Sequence, residues 1–181
     1  MKQENTPTLS KAVTVTVAER PARKLILLRS ARATHFGNFC EEMGCDWLDI
    51  LNAIPEKMDT VALLCTWPST LISPGTDGGT VAAGVEVPSD YASPLPASYE
   101  IIDLPPCTML YFQSEPFENE DDWPVAMDTA WAAMEAYDLA CHGWQPAPEL
   151  APRFNFGSFP KTGAKNAIPV KKSQNLKSQI V

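Results

Sequence analysis

The sequence predicts an α+β protein made of a duplicated β-β-α-β-β unit with pseudo-twofold symmetry, antiparallel sheets and two long helices. Three observations carry this. Residues 19–30, ERPARKLILLRS, and residues 103–114, DLPPCTMLYFQS, repeat one pattern at an offset of 84: an acid, a proline two residues on, an apolar run, a long polar residue and serine. A helical apolar period follows each copy, and each helix is followed by two more short apolar runs.

Taken in order, AVTVTVAE at 12–19 alternates as a strand, and the first repeated phrase forms the second strand. Its proline lies before the apolar run, where a missing N–H does little harm. Phe36, Phe39, Cys40, Met43, Trp47, Ile50, Leu51 and Ile54 recur at three- and four-residue steps, which predicts one amphipathic helix capped by Thr34 and stopped by Pro55. Strands are then expected at 61–68 and 80–88. In the second half, a strand at 98–105 and the second copy of the phrase, 103–114, lead to a helix through Trp123, Met127, Trp131, Met134 and Tyr137, with Asn119 as its cap. Strands at 153–160 and 166–172 close it. The expected organisation is a polar, disordered segment 1–10, one domain 11–172 (first half 11–88, linker 89–97, second half 98–172) and a disordered basic tail 173–181.

Hydrophobic residues make up 45% and charged residues 20% of the 181 residues, an ordinary soluble composition with no apolar run of membrane-spanning length. MKQENTPTLS has no signal-peptide character, so a cytoplasmic location is expected. A net charge of −8 speaks against nucleic-acid binding. The five cysteines lack metal or disulfide spacing and read as reduced, mostly buried thiols. No nucleotide, zinc or α/β-hydrolase motif occurs, so neither a metal nor a cofactor is expected, and neither His35 nor His142 stands in a nucleophile–base motif.

The stretches ERPARKLILLRSARAT, CEEMGCDWLDIL, GVEVPSDY, YEIIDLPPCTMLYFQSEPF and APRFNF resemble the GyrI-like small-molecule-binding domain, over residues 12 to 172. This is the effector-binding module of AraC-type and MerR-type multidrug regulators, also found as a stand-alone protein. The resemblance implies a groove between pseudo-symmetric halves, lined by aromatic side chains, that takes amphipathic and often cationic molecules. Only about ten residues precede the first strand here, so no direct DNA reading is expected; a monomer and a weak dimer both stay open. In many relatives a glutamate after the second helix meets the ligand's positive charge. The matching position here is Asn155, which offers dipoles but no charge.

The candidate ligand-binding residues are Glu86, Asn155, Trp67, Tyr111, Trp131, Phe39 and Trp47. Glu86 shares its strand face with Ala82 and Gly84, which leaves room above it; a strand carboxylate there is solvated, paired with a neighbouring lysine or arginine, or serves a groove. The aromatic residues supply core or cavity lining, and cation–π surface. Arg153, Asn155 and Gly157 share one face of their strand while Phe154 and Phe156 pack inward. The leading expectation is a small-molecule-binding protein. One alternative is a hydrolase of strained cyclopropane-bearing compounds using Glu86 or Glu42 as base; another is a protein-interaction module using the acidic stretch Glu118 to Asp122.

Overall fold

The computed structural model describes residues 12–65 and 70–173. Among these residues nine strands form one antiparallel sheet: β1 (Val13–Arg20), β2 (Arg23–Arg29), β3 (Ala62–Cys65), β4 (Val81–Pro88), β5 (Glu100–Leu104), β6 (Cys107–Ser114), β7 (Trp144–Pro146), β8 (Arg153–Phe159) and β9 (Gly163–Lys172). Their order is β1-β6-β9-β8-β3-β4-β2-β5, with β7 added on β9. Exchanging β1 with β5, β2 with β6, β4 with β9 and β3 with β8 reproduces this order, and β3 and β8 meet at its centre.

The apolar runs of β2 and β6 are explained by burial on both faces. Leu25 and Leu27 point with Met109 and Tyr111 into an inner cluster that also holds Leu64, Phe154 and Phe156. Ile26 and Leu28 point the other way, under Phe39, Trp47 and Leu51. Leu110 and Phe112 do the same under Met134. One sheet face therefore carries the helices; the other closes on itself.

That closure follows from two short links. β1 lies at one edge and β2 next to the opposite edge, yet only Pro21 and Ala22 separate them; Pro105 and Pro106 join β5 to β6 in the same way. Such a link reaches roughly 11 Å at most, so the sheet must roll until its two edges approach one another. The two-residue turn does not make a β1–β2 hairpin: β1 pairs with β6, and β2 with β5 and β4.

Buried charge holds the crossover. Arg23, fully buried, donates from Nε to Glu86 Oε1 at 2.5 Å, from Nη1 to the carbonyls of Pro21 (3.2 Å) and Pro105 (3.0 Å), and from Nη2 to Cys107 Sγ (3.4 Å). Arg20 donates to the other carboxylate oxygen of Glu86. Arg23 thus ties together the two proline links, and it touches Cys107, the residue that occupies its own place in the second copy of the repeated phrase.

The expected single helix at 34–54 is two, α1 (Phe36–Met43) and α2 (Asp46–Asn52), because Gly44 adopts φ 76° and breaks the hydrogen-bond ladder. Its N-cap is His35 rather than Thr34, with Asn38 closing a reciprocal capping box. The apolar period survives because both short helices bury one continuous face against β4. The third helix, α3 (Trp123–Ala136), is preceded by a turn of 3-10 helix whose cap is Asn119. The cysteines are free, but of the five only Cys107 is buried; Cys40 and Cys65 are half-buried and Cys45 and Cys141 exposed. Ser173 is held by a hydrogen bond from its N–H to the Gly143 carbonyl. The segments 1–11 and 174–181, with most of the residues expected to be disordered, lie outside the described residues. Among the described residues no helix is long and apolar enough to cross a membrane.

Candidate functional site

Strands β3 and β8 meet at the middle of the sheet, pairing Leu63 with Asn155 and Cys65 with Arg153. Alternation along β8 sends Phe154 and Phe156 into the inner cluster, so Arg153 and Asn155 rise on the helix face, beside α3. There Arg153 Nη1 donates to Glu135 Oε1 at 3.0 Å, and its guanidinium carbon lies 5.9 Å from the centre of the Trp131 ring. Burial pushes the Cys65 thiol up from its ordinary range, with Arg153 pulling the other way.

Arg153 also borders a hollow of about 140 Å³, whose other walls are Leu139, Pro146, Ala147, Pro148, Ala151, Ile168 and Pro169. The prolines supply rigid apolar wall and no N–H to satisfy. Thr70, from the first half, donates its N–H to the Pro148 carbonyl at 3.2 Å, so both halves fix the hollow's position. A larger and more open hollow of about 270 Å³ lies away from the centre, between the end of α2 and the linker prolines Pro94 and Pro96.

Next to Arg153, Asn155 spends its amide oxygen locally, accepting the Gly157 N–H at 2.9 Å. Gly157 has φ 86° and sits in the irregular stretch between Asn155 and Ser158, where β8 and β9 change register. Across the ladder Asn166 pairs with Asn155 and is fully buried. Its Nδ2 lies 3.9 Å from Met127 Sδ, while its Oδ1 and the nearby Ser158 Oγ are buried without a partner among the described residues.

The structure brings two of the expected site residues, Trp131 and Asn155, to this central seam, and disperses the others. Phe39 and Trp47 are core: 5.4 Å apart, edge to face, beneath the first half. Tyr111 belongs to the inner cluster, where burial and the Glu86 and Asp59 charges outweigh Arg20 and Arg23 and its phenol is pushed up to about 12. Glu86 is 5% exposed and has both oxygens engaged by arginines; the space expected above Gly84 is taken by Leu25 and Leu64, whose methyl carbons would lie 3.2 and 2.9 Å from an added Cβ. Trp67 lies outside the described residues.

Arg153, Glu135 and Cys65 are the seam residues that sequence reasoning did not single out as site. Arg153 shares a strand face with Asn155, and Glu135 stands four residues after Trp131, one helical turn along the same face. The strand face of Arg153 was available in the spacing; the meeting of Glu135 with it was not.

No family model matches the chain, and no curated protein matches it in sequence. Solved structures do match in shape. The crystal structure of the EcmrR C-terminal domain aligns with a TM-score of 0.53 at 10% identity, over 88% of this chain and 98% of that one. EcmrR in its DNA complex aligns with a TM-score of 0.49 at 11% identity over 88% of this chain, which spans 58% of that protein's length. SAV2435 bound to tetraphenylphosphonium aligns with a TM-score of 0.47 at 14% identity, over 87% of this chain and 94% of that one. The antiparallel sheet with its helices on one face is thus the fold of the EcmrR C-terminal domain.

Proposed function

We propose that the chain binds small aromatic or amphipathic molecules in the hollow beside Arg153, where the first residue of β8 meets β9 and the connection from β7 to β8. The observation that carries this is the apolar hollow of about 140 Å³ bordered by Arg153, which in turn lies against Trp131. A ligand body there gains apolar burial against proline, alanine and isoleucine, with the Trp131 ring behind the Arg153 guanidinium. The resemblance of the sequence to effector-binding domains supports the same reading.

The hydrolase alternative needs a free carboxylate as base, and the two acids considered for it are occupied. Glu86 is matched by two guanidiniums. Glu42 accepts from the Ser30 hydroxyl (2.6 Å), the Ala31 N–H (2.8 Å) and the Arg32 N–H (3.3 Å), bonds that hold its carboxyl below the usual carboxylate range and make it a weak base. The acids at 118–121 are exposed, as a contact surface would require, but nothing else in the structure marks them.

Titration with naphthalene and biphenyl probes, read by tryptophan fluorescence, tests the binding reading. Trp131→Phe should remove most of the quenching, and Ala147→Leu, which fills the hollow, should weaken binding at least tenfold. Quenching that survives both substitutions places the ligand elsewhere. Mass spectrometry of the recovered probe distinguishes binding from turnover.

A further inference from the structure

The charges around the hollow have a definite sign. Among the described residues that line it, Arg153 is the one ionised side chain. Of the nearby acids, Glu149 is committed to Lys171 at 2.6 Å and Glu135 to Arg153 itself. Asn155, where a carboxylate would attract a cation, is an amide whose oxygen already accepts the Gly157 N–H. Glu86 faces the opposite side of the sheet and is neutralised there.

We infer that this hollow selects ligands with an apolar body and a carboxylate head, the carboxylate replacing Glu135 on Arg153. This rests on the binding reading above and gives it a ligand class. Displacing Glu135 is cheap, because its side chain is 50% exposed and exposed ion pairs contribute little. The guanidinium offers several N–H groups in one plane, which suits two-point recognition of a carboxylate. The chain's net charge of −8 does not prevent this, since charges beyond about 8 Å are largely screened at physiological ionic strength. A cation in the same place would meet Arg153 with no acid to spare.

Three ligands of nearly equal size separate the possibilities: 2-naphthoate, 2-naphthylmethanol and 2-naphthylmethylammonium, titrated calorimetrically into the full chain. The expected order is naphthoate tightest, the alcohol next and the ammonium weakest, with about tenfold or more between the ends. Arg153→Met should abolish the order while leaving the alcohol bound, Arg153→Lys should keep part of it, and Glu135→Gln should tighten naphthoate severalfold by removing its competitor. Because Arg153 is partly exposed, loss of its charge is compatible with the fold, which circular dichroism of each variant checks. Tighter binding of the ammonium than of naphthoate, or an order unchanged in Arg153→Met, overturns the carboxylate inference while the binding reading stands. Failure of all three to bind overturns both.

Discussion

Replacing Glu86 with glutamine separates a structural role from a ligand-binding one. In the native protein the carboxylate is matched by Arg23, which is fully buried, and by Arg20, whose side chain is 14% exposed. Glu86→Gln keeps the shape but leaves two guanidiniums sharing one neutral amide. Removing one partner of a buried ion pair costs about 3–5 kcal/mol, chiefly because the remaining charge loses its counter-ion where water cannot reach it. Arg23 retains its bonds to the Pro21 and Pro105 carbonyls, which bounds the loss but does not supply a negative charge. Against a total stability of about 5–15 kcal/mol this is a large fraction. With a urea m-value of about 2 kcal/mol per M, the unfolding midpoint should fall by about 1.5–2.5 M. Ligand affinity, measured where the variant is folded, should change less than twofold. A midpoint shift below about 0.3 M together with a marked change in ligand affinity would refute the reasoning and return Glu86 to the binding site.

Glu42→Gln should cost about 1–3 kcal/mol, since an amide cannot accept on both oxygens as the carboxylate does from Ser30, Ala31 and Arg32. The Ser30 hydroxyl is the largest cause of its lowered pKa, so its contribution is complete above the unfolded value, near 4.5, and is lost as pH falls through the folded one; stability below about pH 4.5 should depend less on pH in the variant. Gly163→Ala should lower stability by more than about 2 kcal/mol in thermal melts, because φ is +74° and the new Cβ would lie 2.3 Å from the Ser114 carbonyl oxygen. Gly78→Ala, at φ +85° with nothing within 4 Å, should cost only about 1 kcal/mol. Tyr111 should resist ionisation until about pH 12 in an absorbance titration; its folded value is raised, so its contribution is present below pH 10 and disappears between about 10 and 12.

Eight of the nine strands among the described residues were legible because each carries its apolar pattern in its own residues; β7 was not, because the three residues Trp144–Pro146 are too few to show a period. The break in the first helix was not, because α2 resumes the period of α1 on the same buried face, and a glycine inside such a pattern is tolerated in many helices. The crossed pairing was not legible either. A two-residue link between strands reads as a hairpin, and only the whole sheet order shows that Pro21 and Ala22 carry the chain from one edge to the other. The weight on Arg23 was hidden for the same reason: an arginine beginning a strand looks solvated until the crossover places it against Glu86. At the seam, the alternation RFNF identified the face of Asn155 correctly, but Glu135 depends on how α3 lies over β8, which no local pattern encodes.

The energetics of the two sheet faces decide where a ligand can go. The inner face is filled by Tyr111, Phe154 and Phe156, stacked at 6.1 and 5.6 Å between neighbours, with Lys165 over two of the rings and held by Asp59 at 3.2 Å. Opening that cluster would return three aromatic side chains to water, at about 1.5–3 kcal/mol each. A ligand of micromolar affinity has about 8 kcal/mol in all, and displacing the three rings would consume most or all of it. The hollow beside Arg153 demands no such exchange: it exists already, three prolines stiffen its wall, and the ion pair of Arg153 with Glu135 beside it is half in solvent. On the proposed reading, binding there costs little reorganisation, and the sign of charge beside the hollow, rather than the aromatic content of the chain, sets which molecules enter.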